Sequence, residues 1–153
     1  MHEFRTGRHV IYELYVHLVF STKYRRGVIT DEVRDALREA MNKVCGDFSA
    51  KLVEFDGEDD HVHLLILYPP KVSLSTLVGS LKVASAYRIR GMNLPDVQSK
   101  LWGDHFWSPS YCAVSAGGAP LDIIKRYIEE QRAEPREKGE KRNRRKKASL
   151  TSP

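Results

Sequence analysis

The segment that most restricts the fold is His61-Val62-His63-Leu64-Leu65-Ile66-Leu67-Tyr68, bounded by the acidic turn Gly57-Glu58-Asp59-Asp60 and by Pro69-Pro70. Its length is that of a strand, and two prolines without N–H donors stop it. Beyond the histidines both of its alternating faces are apolar, as expected for a strand central in a sheet. Lys51 to Phe55 reads as the strand paired with it across the acidic turn.

A central strand needs neighbours, and the remaining chain supplies them. From Val10 to Ser21 residues alternate, with Tyr12, Leu14, Val16, Leu18 and Phe20 on one face and Ile11, Glu13, Tyr15, His17 and Val19 on the other, which predicts a long first strand. Thr30 is placed to cap a helix whose stripe is Val33, Ala36, Leu37, Ala40, Met41 and Val44, with Gly46 ending it. Ser73 caps a second helix, with Leu74, Leu77, Val78, Leu81, Ala84 and Tyr87 expected on its buried side. Gly91 to Gly103 reads as a loop. His105 to Ser115 is a fourth strand that Pro109 confines to an edge or a bulge. After the joint Gly117-Gly118-Ala119-Pro120, a last helix runs from Leu121 to about Ala133.

The order β, α, β, β, α, β, α predicts an α+β fold of ferredoxin-like, split βαβ plan: an antiparallel sheet with helices on one face plus an added C-terminal helix. One sheet face is left without helices of its own. A ligand, a partner subunit or the last helix can occupy it.

At 153 residues the chain is about one domain long. Its net charge of +5 is concentrated after the last helix, where Arg136 to Lys147 holds eight basic and two acidic residues. Residues 1–133 are therefore expected to form one domain and 134–153 a basic tail, disordered alone, acting as an electrostatic arm for phosphates or as a solubilising end. No apolar run is long enough for a membrane span and the first residues lack the apolar stretch of a secretion signal, so a cytoplasmic protein is expected. Cys45 and Cys112 form no C-x-x-C pair, and neither a disulfide framework nor a structural zinc site is suggested.

Side chains at i and i+2 of a strand leave the same face with roots about 6.5 to 7 Å apart, so His61 and His63 could lean onto one metal ion. Two packed histidines fit the same spacing. In the last helix Tyr127 and Gln131 lie one turn apart beside the stripe of Leu121, Ile124 and Ile128. Two imidazoles and an amide oxygen would leave positions on an ion for substrate oxygens, with the Tyr127 hydroxyl beside them. The loop Lys23-Tyr24-Arg25-Arg26 interleaves charge with an aromatic, which suits a single strand with a stacked base, or simply a solvated turn.

Taken together these stretches resemble the HUH single-tyrosine transposases of the insertion sequence 200/605 family. The matching segments are His17-Leu18-Val19-Phe20-Ser21-Thr22-Lys23-Tyr24-Arg25-Arg26, His61-Val62-His63, Ser108-Pro109-Ser110-Tyr111 and Tyr127-Ile128-Glu129-Glu130-Gln131, in the family's order, over about residues 10 to 132. The resemblance implies that Tyr127 is the nucleophile and that His61, His63 and Gln131 bind a divalent ion, Mg2+ or Mn2+. It also implies single-stranded DNA hairpins at element ends as substrate, and a homodimer in which the helix bearing Tyr127 can complete the partner's site. Lys23, Tyr24, Arg25, Arg26, Lys82 and Arg88 are the candidate DNA contacts. Cys112 departs from the larger apolar residue expected there.

Attack by tyrosine would leave a 5′-phosphotyrosine and a free 3′-hydroxyl, conserving the ester for rejoining without a nucleotide cofactor. The absence of a G-x-x-x-x-G-K-[ST] segment agrees with that. Three other readings compete. A nonenzymatic single-strand binder would carry aromatics on its central strand, where histidines and leucines stand here. A two-histidine phosphoesterase would need two separated H-x-[ST] motifs. A domesticated relative that cleaves repeated extragenic hairpins is barely separable by sequence.

Overall fold

The structure is a computed structural model and describes residues 5–7, 9–100, 105–116 and 127–130. Its centre is a four-stranded antiparallel sheet of β3 (Tyr15–Ser21), β4 (Lys51–Glu58), β5 (His61–Leu67) and β6 (Cys112–Ser115), in the order β4-β5-β3-β6. The helices α1 (Asp31–Asp47) and α2 (Leu74–Gly91) complete the split βαβ plan, and a short α3 (Pro95–Lys100) follows. A separate two-stranded hairpin, β1 (Arg5–Thr6) with β2 (Ile11–Tyr12), precedes the sheet.

Val16, Leu18 and Phe20 of β3 and Val62, Leu64 and Ile66 of β5 join the helical core with Val33, Leu37, Met41, Leu77 and Leu81. The alternation of strand side chains then sends His17, Val19 and Ser21 of β3 and His61 and His63 of β5 to the other face. The central position of β5 is as expected, and β6 lies at an edge. Pro109 interrupts the fourth strand, leaving upstream of β6 only an isolated bridge between Thr22 and Trp107.

The boundaries differ from the sequence reading in several places, and β4 runs on to Glu58 through residues read as part of the turn. The first strand is broken at Glu13-Leu14, because Ile11–Tyr12 pairs with Arg5–Thr6 while β3 enters the main sheet. Helix α1 is capped by the Thr30 side chain, which accepts from the Val33 N–H, and it passes through Gly46 to Asp47. The reversal is made by Ser49, at φ 57°. Helix α2 is capped by Ser73 and buries Leu77, Val78 and Leu81 as expected, but its C-terminal half differs: Tyr87 is exposed, while Ser85 and Ile89 are buried. Ser85 can occupy the interior because its hydroxyl accepts the Trp107 indole N–H at 3.0 Å. The segment read as a loop contains α3, started by Pro95, whose missing N–H is no loss in a first helical turn.

Among the described residues no helix is long and apolar enough to cross a membrane. Both cysteines are free and buried. The basic tail, the Gly117-Gly118 joint and Gln131 lie outside the described residues.

Candidate active site

The site is on the sheet face opposite α1 and α2. Across the β4–β5 hairpin, Asp56 is the cross-strand partner of His63 and Glu58 that of His61. Each histidine therefore has a carboxylate-bearing residue opposite it. Gly57 between them permits the close approach of the two strands: a Cβ there would fall 2.3 Å from the His61 carbonyl oxygen.

Both rings are held by a partner. His61 Nδ1 lies 3.0 Å from Asp60 Oδ1, and His63 Nε2 lies 2.8 Å from His17 Nδ1. The His17 and His63 ring centroids are 4.9 Å apart. Burial lowers the pKa of His17 and of His63 below 6.5, against the opposing charge of Glu54 on both and of Asp56 on His63. Both rings are thus neutral near pH 7, the form in which imidazole ligates a metal.

Asp60 is clamped from its other oxygen. Arg25 donates through Nε and Nη2 to Asp60 Oδ2, at 3.1 and 2.6 Å. Burial alone would raise the Asp60 pKa, but hydrogen bonds from His61 and Arg25 and the charge of Arg25 bring it below the ordinary carboxylate value. Glu58, Asp60 and His61 place ligand atoms within 4.8 Å of one another. With its oxygens committed to Arg25 and His61, Asp60 is suited to orienting His61 rather than to ligating an ion itself.

Tyr127 arrives on this same face. Residues 127–130 are helical, and the Tyr127 ring packs on Val19 and Cys112. Val19 is the cross-strand partner of both His63 and Cys112, so the tyrosine rests one strand away from the second histidine. Its hydroxyl is 3.3 Å from the Ser110 hydroxyl, and burial pushes its pKa up to about 12 against that hydrogen bond. Arg25 Nη1 also donates to the Ile128 carbonyl at 3.5 Å, so one guanidinium touches both the carboxylate behind His61 and the helix of Tyr127.

The residues fit a divalent ion. Two imidazoles with fixed hydrogen-bond partners sit along a strand edged by carboxylates, and the buried Ser21 hydroxyl, in the register position opposite His61, has no hydrogen-bond partner among the described residues. The structure brings His61, His63 and Tyr127 to one face. Gln131, expected as the third ligand, lies outside the described residues.

The candidate DNA contacts divide. Lys23, Tyr24 and Arg26 are half-buried in the loop after β3, with Lys23 over the Tyr24 ring. Arg25, a candidate DNA contact, is only 1% exposed and holds Asp60 in a buried ion pair. Lys82 points inward, donating to the Ser108 and Ser110 carbonyls at 2.8 and 3.1 Å and lying over Phe20 and Tyr111, and burial lowers its pKa to about 8. Arg88 is on the helical layer, 3.5 Å from Glu39 of α1. Sequence reasoning assigned no role to His17, Asp60 or Ser110. Their contacts with the site depend on tertiary packing, and the available signals were the polar side of the first strand for His17 and the motif segments that contain His17 and Ser110.

The family model for IS200-like transposases matches residues 10–131. The chain belongs to the IS200-like transposase family. The ISDra2 transposase TnpA of Deinococcus radiodurans is 34% identical over 129 residues, covering 84% of this chain and 91% of that relative. The IS200 transposase of Salmonella typhimurium is 31% identical over 119 residues, 76% of this chain and 78% of that one. A crystal structure of a Deinococcus radiodurans transposase superposes with a TM-score of 0.73 at 35% identity, covering 83% of this chain and 97% of that one. A tyrosine transposase bound to a REP hairpin shares the fold, with a TM-score of 0.52 at 15% identity over 80% of this chain and 67% of that one. This transposase therefore belongs with enzymes of DNA recombination, and its ferredoxin-like fold is that of its relatives.

Proposed function

We propose that the protein cleaves and rejoins single-stranded DNA at the ends of an insertion element through a 5′-phosphotyrosine on Tyr127, with Mg2+ or Mn2+ held by His61, His63 and Gln131. The observation that carries this reading is the packing of Tyr127 on Val19, the cross-strand neighbour of His63, on the sheet face that holds both histidines. When bound, the ion supplies Lewis-acid stabilisation of charge on the phosphate oxygens.

The chain's own residues do the rest. The Tyr127 oxygen attacks phosphorus, the bond from phosphorus to the 3′ oxygen breaks, and the strand leaves with a 3′-hydroxyl. The phenolic proton passes to solvent or a neighbouring base during attack. With its pKa raised to about 12 by burial, Tyr127 holds its proton at neutral pH before attack. A later 3′-hydroxyl reverses the step and rejoins strands. The fold-mate bound to a REP hairpin makes hairpin DNA the first substrate to test. Lys23, Tyr24 and Arg26 are the loop contacts for such a strand. The same reading includes a homodimer in which the Tyr127 helix serves either subunit, and a strictly monomeric mass by light scattering would remove that part.

The test is incubation with single-stranded hairpins from candidate element ends and Mg2+, followed by a denaturing gel. Wild type should give a covalent adduct that His63→Ala and Tyr127→Phe both lose while still binding DNA. Tight binding by wild type with no adduct on any element-end substrate would favour the nonenzymatic binder.

A further inference from the structure

The His17–His63 contact has a consequence that follows from tautomer chemistry. A neutral imidazole carries one N–H and one lone pair, so a 2.8 Å contact between two such rings makes one the donor and the other the acceptor. Were His17 the donor, the Nε2 lone pair of His63 would be consumed and its Nδ1 would carry the proton. That ring would then have no atom left for a metal. His63 can ligate in this arrangement only as the donor.

We propose that His17 is a positioning residue of the metal site: its Nδ1 accepts the Nε2–H of His63 and leaves His63 Nδ1 as the nitrogen that binds the divalent cation. The inference rests on the metal reading given above and specifies the role of a residue outside its ligand set. Asp60 performs the corresponding service for His61 at the opposite nitrogen, accepting from Nδ1–H and leaving Nε2 free. The two rings therefore offer unlike nitrogens to one ion, each fixed by its own acceptor.

The location of His17 agrees with this role. It is buried on β3, its direct cross-strand partner is Leu65, and it reaches His63 along the diagonal, which long side chains can span. Val114 of β6 is its partner on the other side, and Glu54 is the charged group acting on it from β4. Asn is the informative replacement, because its amide oxygen stands close to where Nδ1 stood. Leu fills the space and accepts nothing.

The experiment has two arms on the full chain. Histidine side-chain 15N NMR of the wild type without metal should show His63 protonated on Nε2 and His17 protonated on Nε2, with added Mg2+ shifting His63 Nδ1 chiefly. Titration with Mn2+, followed by its EPR signal, should show His17→Leu binding about 10- to 100-fold more weakly than wild type, with His17→Asn recovering most of the loss. His63 found protonated on Nδ1 would overturn the proposal even if the variants fail to fold. So would wild-type Mn2+ affinity in His17→Leu when His63→Ala has lost it. Wild-type affinity in His63→Ala would instead overturn the metal reading itself, and the role of His17 with it.

Discussion

Arg25 and Asp60 form a buried ion pair, 2.6 Å from Nη2 to Oδ2, that joins the loop after β3 to the turn before β5. Both Tyr24 and Arg25 hold φ at 56°, a conformation that non-glycine residues seldom adopt. The pair anchors that loop, orients His61 through the second Asp60 oxygen, and touches the helix of Tyr127 at Ile128. A residue expected at the DNA surface is thus a structural centre of the site.

Removing one partner of such a pair leaves the other charge buried. Asp60→Ala should destabilise the protein by about 3–5 kcal/mol, measured by urea unfolding. The pH dependence has a defined sign. Because the folded-state pKa of Asp60 is depressed, its contribution is complete above the unfolded value near 3.8 and is lost as pH falls through the folded value. Asp60→Asn should flatten the acid limb of the stability curve, and an unchanged limb would count against the pair.

Gly57 tests the hairpin that presents the histidines. Gly57→Ala places a methyl group 2.9 Å from the Val62 Cα as well as against the His61 carbonyl, and none of these backbone atoms can move aside cheaply. A loss of about 1–3 kcal/mol is expected, with weakened Mn2+ binding. Wild-type stability would show that the strands separate freely there.

The two depressed histidines predict how metal binding responds to acid. His17 and His63 are held below 6.5 by burial, so protonation of these two rings should weaken Mn2+ binding only as pH falls below about 6.5. In the metal-free protein the same depression favours the fold above 6.5, and that contribution is lost as pH falls through the lower folded values. A His17 or His63 ring already gaining a proton between pH 8 and 7, read by side-chain 15N NMR, would contradict neutral, desolvated rings.

Salt dependence separates surface contacts from internal ones. Lys23→Ala and Arg26→Ala should each reduce the salt slope of single-strand binding by about 1. Lys82→Ala should lower stability through its lost carbonyl contacts and leave the slope unchanged. A reduced slope for Lys82→Ala would return it to the DNA surface.

The architecture was largely legible because period-2 and period-3.6 patterns report burial directly, as in β5 with its two apolar faces and α1 with its Thr30 cap. The C-terminal half of α2 was not, because periodicity counts Ser85 as polar, whereas the Trp107 indole makes its burial acceptable. The His61, His63 and Tyr127 trio was readable from spacing and motif order. His17, Asp60 and Arg25 were not assigned these roles, since their functions arise from contacts between elements, spanning 46 residues for His17 and His63 and 35 for Arg25 and Asp60. Charge and aromatic content alone placed Arg25 and Lys82 at the surface, while the fold engages both inside.

The central claim is that Tyr127 becomes covalently joined to the 5′ phosphate at the cleaved position. The most direct measurement is cleavage of a hairpin-bearing strand labelled at either end, with mass spectrometry of the adduct peptide. The 3′-end label should travel with the protein, the 5′-end label should leave on a strand ending in a 3′-hydroxyl, and the modified peptide should carry its nucleotide on Tyr127. A 5′-end label retained on the protein, or an adduct that persists in Tyr127→Phe, would contradict the account.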